Sequence, residues 1–231
     1  MIISIIIPCY NEDKTIERLL NKIFSIRLKK QVIIINDGSS DKTKSIINKY
    51  KNKIDTIIHK KKNEGKGSCI ISAKKFIKGE VVIIQDADLE YNPSDYYKLI
   101  KPFKEKKTLV VYGSRVLNRN NYKNNNFAKS FRVFGNFVLT YISNFLNNQH
   151  LTDAHTCYKV FKTKLFKKIP LQQKDFSFCA EINTKLALLD IKIIEVPIKY
   201  NGRSYSEGKK INFFDAIKTL YTIIKYRFFY F

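Results

Sequence analysis

The amino-acid sequence predicts an α/β fold, a mostly parallel sheet with helices on both faces. Short continuous apolar runs, Ile2 to Pro8, Val32 to Ile35 and Val81 to Gln85, recur through the first half, and segments of helical spacing separate them. A strand that is apolar at every position is buried on both sides, and strands alternating with helices build a parallel sheet covered on each face.

Each element follows in order. After the first run, Ile16, Leu19, Leu20 and Ile23 repeat at helical spacing. Asp41 is placed to cap a helix carrying Ile46 and Ile47. Asp55 to His59 reads as a short third strand, Ser68 to Ile77 as a helix and Val81 to Gln85 as a fourth strand. The second half is less regular. Ser94 to Phe103 looks helical, Leu109 to Gly113 reads as a strand, and the Asn/Lys-rich stretch Asn118 to Asn126 reads as a mobile loop. Ala128 to Leu146 is a long helix with an aromatic and aliphatic face, followed by a strand at Tyr158 to Phe161 and a helix at Ala180 to Leu189. Ile193 to Tyr200 is a strand interrupted by Pro197, which suits a sheet edge. Phe213 to Tyr226 closes the chain as an aromatic and lysine-rich helix.

At 231 residues and 44% hydrophobic content, with no Pro/Gly/Ser-rich linker, the chain supports one domain, 1–211, and a C-terminal amphipathic aromatic and basic helix, 212–231. No run of about 18 uncharged apolar residues and no export signal is seen, so no transmembrane segment is expected. Cys9, Cys69, Cys157 and Cys179 lie far apart without a CxxC pair, which argues against zinc and disulfides and suits a reducing cytoplasm. The formal charge of +23 attracts phosphorylated substrates, anionic lipid or nucleic acid. Abundant Lys, Asn and Ile beside only seven Arg is also what AT-rich coding produces. A basic nucleic-acid-binding protein is one alternative, although no nucleic-acid motif accompanies the charge.

In open parallel sheets ligands bind beyond the carboxyl ends of the strands. Three polar stretches follow apolar runs there: Pro8-Cys9-Tyr10-Asn11-Glu12, Asn36-Asp37-Gly38-Ser39-Ser40-Asp41 and Gln85-Asp86-Ala87-Asp88-Leu89-Glu90. Asp86 and Asp88, one small residue apart, would repel one another unless a cation joins them. Mg²⁺ or Mn²⁺ prefers such oxygen ligands and keeps positions open for a diphosphate leaving group. Asp-x-Asp alone is more often a solvated turn; its place after a buried strand strengthens the metal reading. Asp37 is placed to accept a base N–H, and its loop is also an ordinary turn and helix cap. Gly65-Lys66-Gly67 puts a lysine between glycines before a helix, either an anion cradle or a plain turn.

On these residues, and on Arg203 and Glu207-Gly208-Lys209-Lys210, the chain resembles the family-2 inverting glycosyltransferases, particularly dolichol-phosphate mannose synthases and bacterial relatives that glycosylate polyprenyl phosphates. The resemblance implies a GT-A type nucleotide-diphosphate-sugar-binding fold in which Pro8, Tyr10, Glu12 and Asp37 surround the nucleoside. It places Asp86 and Asp88 on the metal, with Glu90 where mannose synthases often carry Gln as a further ligand. Lys66, Arg203 and Lys209 would join the donor site. Arg115, Arg132 and Asn136 would meet the acceptor phosphate. The block Asp153 to Lys159 would border the acceptor, with His155 where an acidic residue is usual.

The activity implied is transfer of a hexose from a donor of GDP-mannose or UDP-glucose type to a dolichyl or undecaprenyl phosphate. The protein would be cytoplasmic, peripheral on the cytoplasmic membrane face, with a membrane-protein partner as an option. Asp88 and Arg203 are the catalytic candidates. A phosphomonoester acceptor, whose second ionisation lies near pH 6, needs no strong base. A sugar-hydroxyl acceptor, as in extension of a cell-surface polysaccharide, needs one, and Asp153 is the candidate. His155 reads as a satisfied local histidine. Ala128 to Leu146 and Phe213 to Phe231 mix aromatics with basic residues as membrane-surface helices do, or else they complete the core.

Overall fold

The structure, a computed structural model, describes residues 1–118, 131–202 and 213–229. The expected apolar runs form strands: β1 (Ile3–Cys9) is buried at every position, β2 (Lys30–Asn36) at all but its first, and β4 (Val81–Ile84) throughout. β3 (Thr56–His59) is a half-buried edge strand. These four pair in parallel in the order β3-β2-β1-β4.

Between them lie α1 (Ile16–Ser25), α2 (Thr43–Lys49) and α3 (Lys66–Ala73). The helical spacing read from the sequence is the buried stripe of α1, Ile16, Leu19, Leu20 and Ile23. Full burial of one such side chain contributes about 1.5–3 kcal/mol. The chain steps outward from β1 through β2 to β3, then returns across the sheet to β4. Right-handed crossovers therefore place α1 and α2 on one face and α3 on the other. α1 packs on α2, and α3 covers β1 and β2. The reversal leaves a crevice at the carboxyl ends of β1 and β4.

The second half adds β5 (Val110–Ser114), β6 (Lys159–Lys162) and β7 (Ile193–Pro197), completing a seven-stranded sheet in the order β3-β2-β1-β4-β6-β5-β7. β6 runs antiparallel to both neighbours, while β5 and β7 are parallel. Pro197 ends β7 at the sheet edge, where a missing N–H costs no ladder bond. The helix expected at Ser94 to Phe103 is shorter, α4 (Tyr96–Ile100), with a 3₁₀ turn at each end. α5 (Phe131–Asn147), α7 (Phe178–Leu188) and α8 (Phe213–Phe228) pack together, and a short α6 (Thr163–Lys168), which has no periodic signal, follows β6. Residues 119–126 of the expected loop lie outside the described residues.

Candidate active site

Because β6 is reversed between β4 and β5, the loop that enters it arrives at the same end of the sheet as the loops that leave its neighbours. Segments from both halves of the chain therefore meet at one rim.

The loops after β1 and β2 are fastened to each other. Asp37 N donates to Cys9 O (2.8 Å), Asn11 N to Ser39 Oγ (2.9 Å), Ser40 N to Asn11 Oδ1 (2.9 Å) and Glu12 N to Thr43 Oγ1 (2.8 Å). Asp41 accepts Thr43 N through Oδ1 (2.9 Å) and Asp13 N through Oδ2 (3.1 Å), so it ties the start of α2 to the neighbouring loop, although the N-cap position itself falls on Lys42 rather than on Asp41 as expected. Asn11 has a φ of +49°, a left-handed conformation that Asn tolerates better than other side chains. Pro8, Tyr10, Glu12 and Asp37 are thus held on one continuous rim.

Asp37 is buried, and its Oδ2 accepts Glu64 N (3.1 Å) and Gly65 N (2.7 Å). Its Oδ1 lies 3.2 Å from Lys60 Nζ, without hydrogen-bond geometry to any described residue. The next residue, Lys66, forms an ion pair with Asp86 Oδ1 and sits 3.5 Å from Cys157 Sγ. Gly65 and Lys66 therefore join the end of β2 to the end of β4. Burial acts to discharge the Lys66 ammonium, but the Asp86 carboxylate outweighs it and holds the pKa above the usual lysine value.

The glycines flanking Lys66 serve packing. Gly65 has a φ of +97°, and a Cβ at Gly65 or Gly67 would run into the backbone carbonyls of Lys174 or Gln173. Ser68 N donates to Lys174 O (2.9 Å), so one of the amides that an anion cradle would use is already spent. Of the two readings of this turn, the structure favours the close-packed one.

The acidic turn after β4 rests on groups the sequence did not advertise. Gln85 is fully buried; its Nε2 donates to Asp86 O (2.9 Å), and its Oε1 accepts the hydroxyls of Tyr96 and Tyr158 (both 2.7 Å). Leu89 is forced to a φ of +63°, which costs a non-glycine residue about 1–2 kcal/mol. Asp88 Oδ1 accepts Glu90 N (3.1 Å). Glu90 is buried and accepts the Tyr200 hydroxyl through Oε2 (2.7 Å), while Tyr91 accepts Cys157 N (3.0 Å) and packs against Tyr158 and Tyr200. A polar residue ending an all-apolar strand was the sole hint of Gln85's part. The tyrosines come from distant segments and gave none.

Among the described residues no three His, Cys, Asp or Glu side chains converge as a metal cluster. Asp86 and Asp88 remain partly exposed hard-oxygen donors. That set fits Mg²⁺ or Mn²⁺, which needs one or two carboxylates when diphosphate oxygens and water complete the shell. Glu90, expected as a further ligand, accepts the Tyr200 hydroxyl through Oε2.

Asp153 departs furthest from expectation. Its Oδ2 accepts Arg115 Nε (2.7 Å) and Arg115 N (3.1 Å), and its Oδ1 accepts Arg115 Nη2 (2.7 Å), all buried. Burial would raise the Asp153 pKa, yet the facing guanidinium holds it below the usual carboxylate range. A carboxylate so stabilised, with both oxygens engaged, is a poor proton acceptor. Arg115 likewise spends two guanidinium nitrogens on Asp153 and lies 5.1 Å over the Tyr200 ring, rather than extending them toward an acceptor phosphate. Half-buried His155 has its pKa lowered to about 4, chiefly by desolvation; it bonds the Leu139 backbone, but its Nε2 has no hydrogen-bond partner among the described residues, so the satisfied histidine expected is only half satisfied. Asn136 is half-buried on α5. The Arg132 side chain, Arg203 and Lys209 lie outside the described residues.

A family model described as glycosyl transferase family 2 matches residues 4–170. The chain belongs to that family. It is 28% identical to a UDP-N-acetylglucosamine–dolichyl-phosphate N-acetylglucosaminyltransferase of Methanococcus voltae, over 96% of this chain and 95% of that one. It is 27% identical to a dolichyl-phosphate beta-glucosyltransferase of Trichomonas vaginalis (96% and 72%) and 26% identical to a dolichol-phosphate mannosyltransferase of Pyrococcus furiosus (98% and 64%). Among solved structures it resembles glucosyl-3-phosphoglycerate synthase from Mycobacterium tuberculosis in complex with Mn²⁺, UDP and glucosyl-3-phosphoglycerate. The TM-score is 0.70 at 14% identity, covering 97% of this chain and 79% of that one. This family-2 chain has the GT-A fold.

Proposed function

We propose that the protein transfers a hexose, with inversion, from a nucleotide-diphosphate sugar of GDP-mannose or UDP-glucose type to a polyprenyl phosphate at the cytoplasmic membrane face. The observation that carries this reading is the Asp86–Asp88 turn, braced by Gln85 and linked through Lys66 and Gly65 to the rim that holds Asp37. The dolichyl-phosphate acceptors in the names of the relatives supply the acceptor class.

In this mechanism Pro8, Tyr10, Glu12 and Asp37 hold the nucleoside, with Lys60 neutralising the buried Asp37 carboxylate. Asp86 and Asp88 hold Mg²⁺ or Mn²⁺, which when bound neutralises charge developing on the departing diphosphate. Lys66, released from Asp86, stays beside the same oxygens as a second positive charge. Arg132, Arg203, Lys209 and Asn136 bring the acceptor phosphate against the repulsion of the donor. A phosphomonoester is largely dianionic at neutral pH, so no base is required, in keeping with the commitment of Asp153 to Arg115.

The test is a panel of nucleotide sugars with Mg²⁺ or Mn²⁺ and a short polyprenyl phosphate, with product analysis. Metal-dependent transfer to the lipid phosphate is expected, and Asp88→Asn lowers it by about 100-fold or more at unchanged melting temperature. A loss below about tenfold defeats the metal role. Transfer to free glycans alone defeats the acceptor assignment.

A further inference from the structure

α5 is built inside out, and α8 partly so. On α5 the buried side chains among the described residues are Thr140, Ser143 and Asn147, whereas Phe137, Tyr141 and Phe145 face outward. Ser143 is 1% exposed and Phe145 77%. The outward aromatics fall at i, i+4 and i+8, one stripe of the helix. The inward polar residues are bonded in part: Asn147 Nδ2 donates to Thr184 Oγ1 on α7 (3.2 Å), while its Oδ1 has no partner among the described residues, and Asn144 bridges to the backbone of Leu151.

α8 repeats the pattern in part, with Ile223 and Tyr226 fully buried beside its inward threonines. Thr219 and Thr222 are buried, their hydroxyls donating to the carbonyls of Asp215 and Lys218 (2.6 and 2.7 Å). Phe214, Ile217, Tyr221 and Phe228 lie outward at spacings of three, four and seven, with Phe214 71% exposed and Thr222 2%. The docked side of α8 is fixed by Tyr226, whose hydroxyl meets Gln172 and Gln173 and whose ring receives the Lys185 ammonium. Both helices pack on α7 and touch each other, so the faces turned away from α7 form adjoining aromatic strips. A chain that buries threonine and displays phenylalanine has that surface covered by something apolar in its working state.

We infer that this face is a membrane-docking surface, and that its occupant is the interfacial region of an anionic bilayer. This rests on the proposed lipid-phosphate acceptor and extends it to a way of reaching the lipid. Charge complementarity favours lipid over a second copy of the chain. α8 carries Lys218, Lys225 and Arg227 against Asp215 alone, and α5 carries Arg132 and no acid, within a protein of net charge +23. Two such basic faces repel each other, and anionic headgroups attract both. Phe and Tyr side chains rimmed by Lys and Arg are suited to the headgroup boundary. Among the described residues no helix is long and apolar enough to cross a membrane, so the helices lie along the surface.

The sequence contains no tryptophan, so Phe145→Trp and, separately, Tyr221→Trp each install a single reporter. With vesicles of phosphatidylcholine and phosphatidylglycerol, blue-shifted emission quenched by brominated acyl chains is expected from both. With phosphatidylcholine alone the shift is weaker. Tyr141→Glu and Ile217→Glu, both on exposed positions, each lower vesicle affinity by about tenfold, the loss expected for one incompletely inserted side chain. Their melting temperatures and UDP or GDP binding stay unchanged, which separates loss of docking from loss of fold. Unshifted emission, or vesicle binding indifferent to both substitutions, overturns the proposal. So does a concentration-dependent dimer abolished by the same substitutions, which gives the face to a second copy. Turnover of a detergent-soluble short prenyl phosphate without any vesicle binding sinks this inference while leaving the proposed reaction standing; vesicle binding without such turnover does the reverse.

Discussion

Asp153→Asn separates a structural carboxylate from a catalytic one. The substitution keeps the shape of the side chain but removes its charge, and it turns an amide NH₂ toward a guanidinium that can only donate. Arg115 is then a buried cation whose Nε and Nη2 have lost the carboxylate they meet at 2.7 Å. Removing one member of a buried pair costs about 3–5 kcal/mol. For a domain of this size each kcal/mol moves the melting temperature by about 2–4 °C, so a fall of about 6–20 °C is expected. Circular dichroism melts and urea titration read it directly. The Asp153 pKa is lowered on folding, so its stabilisation is full above the unfolded carboxylate value and disappears as pH falls through the folded one. The gap between wild type and variant should therefore close below about pH 4. The double variant Arg115→Met with Asp153→Leu should recover much of the loss, because apolar replacement of both partners leaves no orphaned charge. An Asp153→Asn protein that melts within about 2 °C of wild type yet loses about 1000-fold in turnover would refute this account and restore the general base.

Two further substitutions probe Lys66 and Lys159. Lys66→Met removes the ammonium that competes with a divalent ion for Asp86, so Mn²⁺ affinity, read by electron paramagnetic resonance without donor, should tighten by about tenfold; weakened binding would show that Lys66 assists the metal. Lys159 is fully buried, its Nζ bonded to Ala154 O and 3.7 Å from the Tyr112 ring centroid, and burial lowers its pKa to about 8. Between that value and 10.5 the unfolded chain holds more protons, so wild-type stability rises with pH across this window, and the full penalty, about 3 kcal/mol, is present at pH 7. Lys159→Met leaves Ala154 O bonded to Asn183 Nδ2 and should match or exceed wild-type stability at pH 7 without that rise; a melting temperature more than about 5 °C lower would contradict it.

The parts of the fold governed by local patterning were readable in advance. β1, β2 and β4 are buried on both faces, so apolarity at every position marks them, and the stripe on α1 shows its 3.6-residue period undisturbed. α6 and the shortened α4 were not readable, since six and five residues hold too little periodicity to distinguish a helix from a turn. The direction of β6 was hidden because a four-residue strand looks alike in either sense. At the site, the rim residues and the acidic turn were visible as polar stretches after apolar runs. The Arg115–Asp153 pair was not, for its members stand 38 residues apart. The Gln85–Tyr158 bond, spanning 73, was equally hidden. Lys66 was noticed for its glycines, whereas its contact with Asp86 depends on how α3 sits against the sheet.

The reversed strand also bears on the order in which the chain can become competent as it leaves the ribosome. β1 to β4 are complete by Ile84, but the acidic turn beyond them draws its supports from later residues: Cys157 for Tyr91, Tyr158 for Gln85 and Tyr200 for Glu90. Until β6 zips against β4, joining Val82 to Phe161 across a long closure, the carboxylates have a strand to hang from and no wall behind them. A nascent protein therefore completes its parallel half early, and the acidic turn gains its backing only once residues as far as Tyr200 have emerged.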